Sequence, residues 1–167
     1  MSDSRKPFLQ KGETEFLTRF FLIFFGLFAV LKIADLSSLL ELIAGIEYSL
    51  AILAGIPATL SAPAIMLNTS SVEIVAECSG FVMIILLAAL LWSTNIPNGR
   101  RIRYMLVFSP FLFVFNILRI FATLLTLNSH PSLFEFVHIS LWFVDSAIVL
   151  LIWMKAQNMN IRKTLFS

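Results

Sequence analysis

From Ser79 to Asn95 the chain runs without one acidic or basic side chain, through Phe81-Val82-Met83-Ile84-Ile85-Leu86-Leu87 and on past Trp92. Three more stretches are nearly as apolar: Phe16 to Ala34, Tyr104 to Leu127 and Glu135 to Met154. A helix needs about 20 mostly apolar residues to cross a bilayer, and all four stretches meet that need. Composition points the same way, with 59% hydrophobic and 13% charged residues and 17 phenylalanines in 167 residues. Soluble domains run near 45–50% apolar and about 25% charged, so a soluble globular fold is excluded. Disorder is excluded too, because disordered chains are poor in apolar residues. A secretory signal peptide does not explain the pattern, since apolar segments continue to the last dozen residues. The expectation is a single multi-pass, all-α membrane domain covering residues 1–167, with the lipid bilayer as its solvent.

A fifth apolar stretch, Leu36 to Ile56, carries Glu41 and Glu47. Each acidic residue at the centre of a spanning helix costs roughly 2.5–3.5 kcal/mol on the insertion scale. Charge placement decides between four and five crossings. Basic clusters sit in the N-terminal arm (Arg5, Lys6, Lys11), in the connector NIPNGRRIR (Arg100, Arg101, Arg103) and in the tail (Lys155, Arg162, Lys163). The positive-inside rule puts all three in the cytoplasm, which four crossings satisfy and five do not. Residues 1–15 are then a cytoplasmic arm and 155–167 a cytoplasmic tail. The segment from Asp35 to Glu77, with five acids and no lysine or arginine, lies outside.

Within that outer segment, residues 37–56 read as an amphipathic helix on or in the outer leaflet. Beyond it, Asn68-Thr69-Ser70-Ser71 reads as a turn between two short runs. Val72, Ile74 and Ala76 alternate with Glu73 and Val75, a period-2 pattern. A small extracytoplasmic hairpin feeding into Cys78 is expected. Asn68-Thr69-Ser70 also fits the glycosylation acceptor pattern, a match that is common by chance.

Ionisable and polar groups inside spans are costly unless paired, so they carry the information. Cys78 is the chain's one cysteine, which rules out an internal disulfide. It lies in Glu77-Cys78-Ser79-Gly80, at a loop-to-helix junction where a helix N-terminus favours a thiolate. Its bland reading is a small hydrophobe in a helix. Arg119, in Asn116-Ile117-Leu118-Arg119, sits about 24 Å along a span that starts near Arg103, close to the outer boundary. Asn116 lies a turn deeper on the same face, and Ser109 and Thr123 extend the polar stripe. The bland reading of Arg119 is an ion pair between helices, with Asp145 as partner. His138 lies one turn into the last span, sharing a face with Glu135, Trp142 and Asp145 by i, i+3, i+7, i+10 spacing. Its bland reading is a satisfied core histidine, while His130 reads as a loop residue. Taken together, a thiol, a guanidinium and an imidazole occupy one membrane depth on three spans. That set fits cysteine-dependent acyl transfer.

The ordered set Glu77-Cys78-Ser79-Gly80, Asn116-Ile117-Leu118-Arg119 and His138 resembles the exosortase/archaeosortase family of membrane transpeptidases. The resemblance covers about residues 40–155 and is closest to short members of the exosortase type. It implies substrates that are secreted proteins with a C-terminal sorting signal: a short motif, one spanning helix and a basic tail. Cys78 would be the nucleophile, cutting at the outer membrane face and forming a thioester. An acceptor nucleophile, in archaeal relatives thought to be a lipid, would receive the new C-terminus. Arg119 would stabilise the thiolate or the oxyanion and His138 would act as general acid, two roles the resemblance leaves exchangeable. Asn116, Ser79, Gly80, Glu77 and Asp145 would support them. No cofactor is expected, and His130 and His138 with the scattered carboxylates lack metal-ligand spacing. The net charge of +2 gives no reason to expect nucleic acid as a partner. Two other readings stand beside this one. A small-molecule-binding membrane subunit of a transporter would tolerate Cys78→Ala. A structural subunit would need Arg119 and Asp145 but not Cys78 or His138.

Overall fold

The computed structural model describes residues 11–67 and 70–157 of the chain. Five α-helices carry the fold: α1 (Lys11–Ile33), α2 (Ser37–Leu53), α3 (Phe81–Ser93), α4 (Asn98–Ser129) and α5 (Phe134–Ala156). Of these, α1, α4 and α5 are long and apolar enough to cross a membrane, and α3 is a shorter apolar helix. The chain is therefore an all-α membrane protein, as its apolar runs require.

Helix α3 is the centre of the bundle, in contact with α1, α4 and α5. Its apolarity runs all round, which is what a helix enclosed by protein needs, and Met83, Leu87, Ala89 and Leu91 are buried. At 13 residues it is about 20 Å long, shorter than the stretch from Ser79 to Asn95. The cause is Gly80, whose left-handed backbone (φ 81°) separates the helix from the turn before it. α4 departs the other way. Its 32 residues begin at Asn98, so the basic connector is the first turns of a helix about 48 Å long. Arginines extend a helix into water without needing apolar neighbours, which is why an apolar window starts that helix too late.

Between α2 and α3 lies a three-stranded antiparallel sheet, β1 (Ala58–Ser61), β2 (Ala64–Leu67) and β3 (Ser71–Glu73), in the order β1-β2-β3. Ala58 pairs with Leu67 and Ser61 with Ala64; Ala64 pairs with Glu73 and Met66 with Ser71. The expected hairpin corresponds to β2 and β3, and β1 is an additional strand joined to it through a cis Ala62–Pro63 peptide. Asn68 and Thr69, with the glycosylation pattern on them, lie outside the described residues, as do Arg5, Lys6, Arg162 and Lys163.

Two apolar clusters form the interior. One joins α2, the sheet and the later half of α4 through Ile43, Ile65, Ile117 and Leu124. The other joins α3, the earlier half of α4 and the end of α5 through Leu87, Leu112, Val149 and Ile152. Along the later half of α4 the buried side chains include three polar ones: Asn116, Arg119 and Thr123.

Candidate active site

The Cys78 turn is a 3-10 helix over Ala76–Ser79, entered from an extended Val75. The Cys78 N–H donates to Val75 O at 2.8 Å. Ser79 is fully buried and its hydroxyl serves twice, donating to Ala76 O and accepting from Phe81 N–H at 3.3 Å. Gly80 then turns the chain into α3. A Cβ there would meet Asn116 Cβ at 3.0 Å, so the left-handed backbone and the close approach of α4 both require glycine. Asn116 Nδ2 uses that approach and donates to the Cys78 carbonyl oxygen at 2.6 Å. The thiol is free and half-buried, packed against the cluster that contains Ile43 and Ile117.

One turn further along α4, Arg119 is 3% exposed and Asp145 2% exposed. Arg119 Nη1 donates to Asp145 Oδ2 at 2.6 Å. The guanidinium also lies 5.0 Å from the centre of the Trp142 ring. Burying two charges is expensive, and such a pair persists only with good geometry and further contacts; the tryptophan face supplies one of these. Arg119 Nε and Nη2 are buried without a hydrogen-bond partner among the described residues. Two donors on a fixed cation are thus left for another acceptor.

His138 is half-buried on α5 and stacks on Phe134 at 5.7 Å. Trp142 Nε1–H donates to His138 Nε2 at 3.2 Å, which assigns the neutral imidazole with its proton on Nδ1. With Ile139, Phe143 and Ser146 the two rings line a depression of about 260 Å³ on α5. Contacts therefore run from His138 through Trp142 to Arg119 and Asp145, while Asn116 on the same helix face holds the Cys78 turn. Among the described residues, the Cys78 thiol itself has no hydrogen bond to Arg119 or His138.

Glu77 does not join this set. Its carboxylate is ion-paired with Lys32 at the end of α1, and that ammonium holds it below the usual carboxylate range. A 3-10 turn places successive side chains about 120° apart, so Glu77 and Cys78 face different neighbours. Glu135 and His130 are exposed. Three contributors are easily passed over in the sequence. Lys32 hides inside an apolar run. Trp142 reads as packing until its N–H is placed. Glu47 reads only as a cost to spanning, yet it is fully buried beside Ile43, Ala44 and Ala51 on the inner face of α2. Its two oxygens have no partner among the described residues. Spacing of i, i+1, i+4 and i+8 from Ile43 is the signal that could have found it.

The model of the transmembrane exosortase family matches residues 9–154, which takes in α1 to α4, all but the last two residues of α5, and Cys78, Arg119 and His138. The chain belongs to the transmembrane exosortase family. No curated protein and no solved structure matches it. Among the described residues, no group of three or more His, Cys, Asp or Glu side chains could hold a metal ion.

Proposed function

We propose that this exosortase-family protein is a membrane-embedded cysteine transpeptidase. It cleaves the C-terminal sorting signal of secreted proteins and passes the new C-terminus to an acceptor, with a lipid as the candidate acceptor. The observation that supports it most is the pairing on α4: Asn116 on the Cys78 carbonyl, and Arg119 one turn away with two unpaired donors.

The chemistry follows from the residue types. Once the Trp142 N–H releases His138 Nε2, that nitrogen takes the Cys78 proton, and the thiolate sulfur bonds to the scissile carbonyl carbon. The oxygen that gains charge is met by the free N–H groups of Arg119. The C–N bond breaks, the proton on His138 goes to the leaving amine, and a thioester remains on Cys78. An acceptor hydroxyl or amine then attacks the thioester and gives its proton to His138; the C–S bond breaks, and the expelled Cys78 thiolate takes that proton back. Arginine stays protonated in proteins, so Arg119 is the standing cation and His138 the proton carrier.

The orientation belongs to the same proposal. The chain is one multi-pass domain, with residues 1–15 and 155–167 in the cytoplasm, residues 35–77 outside or at the outer interface, and the Cys78 turn near the outer face. Cells expressing a tailed substrate with Cys78→Ala or Cys78→Ser test the function. Loss of processing in both is the expected result, and unchanged processing in both sinks the reading. Labelling of Cys78 by a membrane-impermeant thiol reagent only after the cytoplasm is opened would overturn the orientation.

One observation favours a second reading. The buried Arg119–Asp145 pair is what a purely structural membrane subunit would also contain. In that protein, changing Arg119 or Asp145 disrupts the fold, while Cys78→Ala and His138→Ala are silent.

A further inference from the structure

At the end of the bundle remote from the Cys78 turn, a groove of about 600 Å³ opens between the start of α4 and the last turn of α5. It lies about 24 Å along α4 from Arg119, counted from Arg103 at 1.5 Å per residue. Arg100, Arg103 and Lys155 line it, and no carboxylate does. Arg100 is anchored across the groove, its Nη1 donating to Ala156 O at the end of α5 at 3.2 Å. Arg103 and Lys155 are exposed and stand in no ion pair among the described residues.

The walls change character along α4. Arg100 and Arg103 are followed a turn later by Tyr104, and then by Val107 and Phe108. These positions recur every three to four residues, so they share one helix face. Basic gives way to aromatic and then to apolar over about 12 Å. A free inorganic anion has no use for the apolar wall, and an apolar ligand has no use for three uncompensated cations. An amphiphile with a negative head and a hydrocarbon tail uses both ends.

We infer that this groove binds an anionic phospholipid, its phosphate held by Arg100, Arg103 and Lys155 and an acyl chain lying along Val107 and Phe108. Basic pockets between spanning helices recognise anionic headgroups in this way. Tyr104, between the basic and the apolar ends of the groove, is of the residue type that favours the membrane–water boundary. The site is separate from the Cys78 turn and stands or falls independently of the proposed activity.

Purified full-length protein is titrated with phosphatidylglycerol or phosphatidylcholine in detergent, and retained lipid is counted by native mass spectrometry. Each basic residue near an anionic headgroup gives roughly a fivefold gain in affinity. The wild type therefore retains phosphatidylglycerol well above phosphatidylcholine, and Arg103→Gln/Lys155→Gln loses about twenty-fivefold of that preference. Both side chains are exposed, so the variant keeps its fold; Arg103→Lys/Lys155→Arg keeps the preference, and Arg19→Gln on α1 leaves it unchanged. Equal retention of the two lipids by wild type overturns the inference, and so does an undiminished preference in the double Gln variant. Full displacement of phosphatidylglycerol by millimolar inorganic phosphate overturns it in favour of a free-anion site.

Discussion

Asn116 and Cys78 are joined by a 2.6 Å hydrogen bond from the asparagine amide to the cysteine carbonyl, across the gap that Gly80 leaves for α4. This bond carries the position of α4 to the backbone of the proposed nucleophile, so Cys78 and Arg119 are set by one rigid element. Losing a buried partner costs about 1–3 kcal/mol because the abandoned group stays desolvated. Asn116→Ala is expected to cut processing of a tailed substrate by tenfold or more while the protein still folds. Gly80→Ala is expected to do the same, through a Cβ forced against Asn116. A processing assay on membranes with matched protein levels checks both, and wild-type rates in either variant would sever the link between α4 and the Cys78 turn.

The buried Arg119–Asp145 pair holds α4 to α5, and its part in stability is separable from the part in chemistry proposed for Arg119. Removing one member of a buried pair typically costs about 3–5 kcal/mol, because the other charge is left alone. Arg119→Met and Asp145→Leu should each lower the thermal unfolding temperature in detergent. The double variant should regain much of it, because apolar residues can replace a buried pair. Processing should stay lost in all three. A double variant that recovers processing along with stability would assign the pair to the fold alone.

Trp142 connects His138 to the Arg119–Asp145 pair, with its N–H on His138 and its face beneath Arg119. Trp142→Phe keeps a ring and removes the donor. General acid–base help is worth about 10²–10⁴ in rate, and misorienting the imidazole should forfeit about tenfold of it. The loss should fall on kcat with KM nearly unchanged, since Trp142 acts through His138. Equal loss in KM would make Trp142 a substrate contact instead.

What could be read from the sequence divides along physical lines. Apolar length marks a membrane helix directly, so α1 and α5 end within a few residues of the expected stretches. Arg119 and Asp145 were readable as partners because charges buried on facing helices have few alternatives. Strand β1 was hidden because Ala58–Ser61 is short, mostly exposed and followed by Pro63, leaving no alternation to detect. The Glu77–Lys32 ion pair was not legible, because the neighbour of Glu77 in sequence is Cys78, while its neighbour in space is Lys32 on another helix. Which way a residue points in a 3-10 turn depends on the elements around it, and the local residue pattern does not encode that.

Glu47 gives the sharpest prediction about stability. It is 0% exposed, and neither carboxyl oxygen has a partner among the described residues. Desolvation pushes its pKa from 4.5 up to about 8. The folded state then holds this proton more tightly than the unfolded chain does. Below about pH 4.5 both states are protonated and Glu47 costs nothing extra. As pH rises toward about 8, the unfolded chain loses the proton while the folded chain keeps it, so stability falls. The slope is at most about 1.4 kcal/mol per pH unit. Above that window the penalty is constant. Glu47→Gln removes the titration, and Glu47→Leu removes the polar atoms as well, so Glu47→Leu should be the most stable of the three at pH above about 8. Thermal unfolding in detergent, measured from pH 5 to pH 8.5, isolates the effect as wild type minus Glu47→Gln, because the other titrating groups are common to both. That difference should turn increasingly against the wild type as pH rises. Parallel curves would mean that the Glu47 carboxyl has a partner in the folded protein after all.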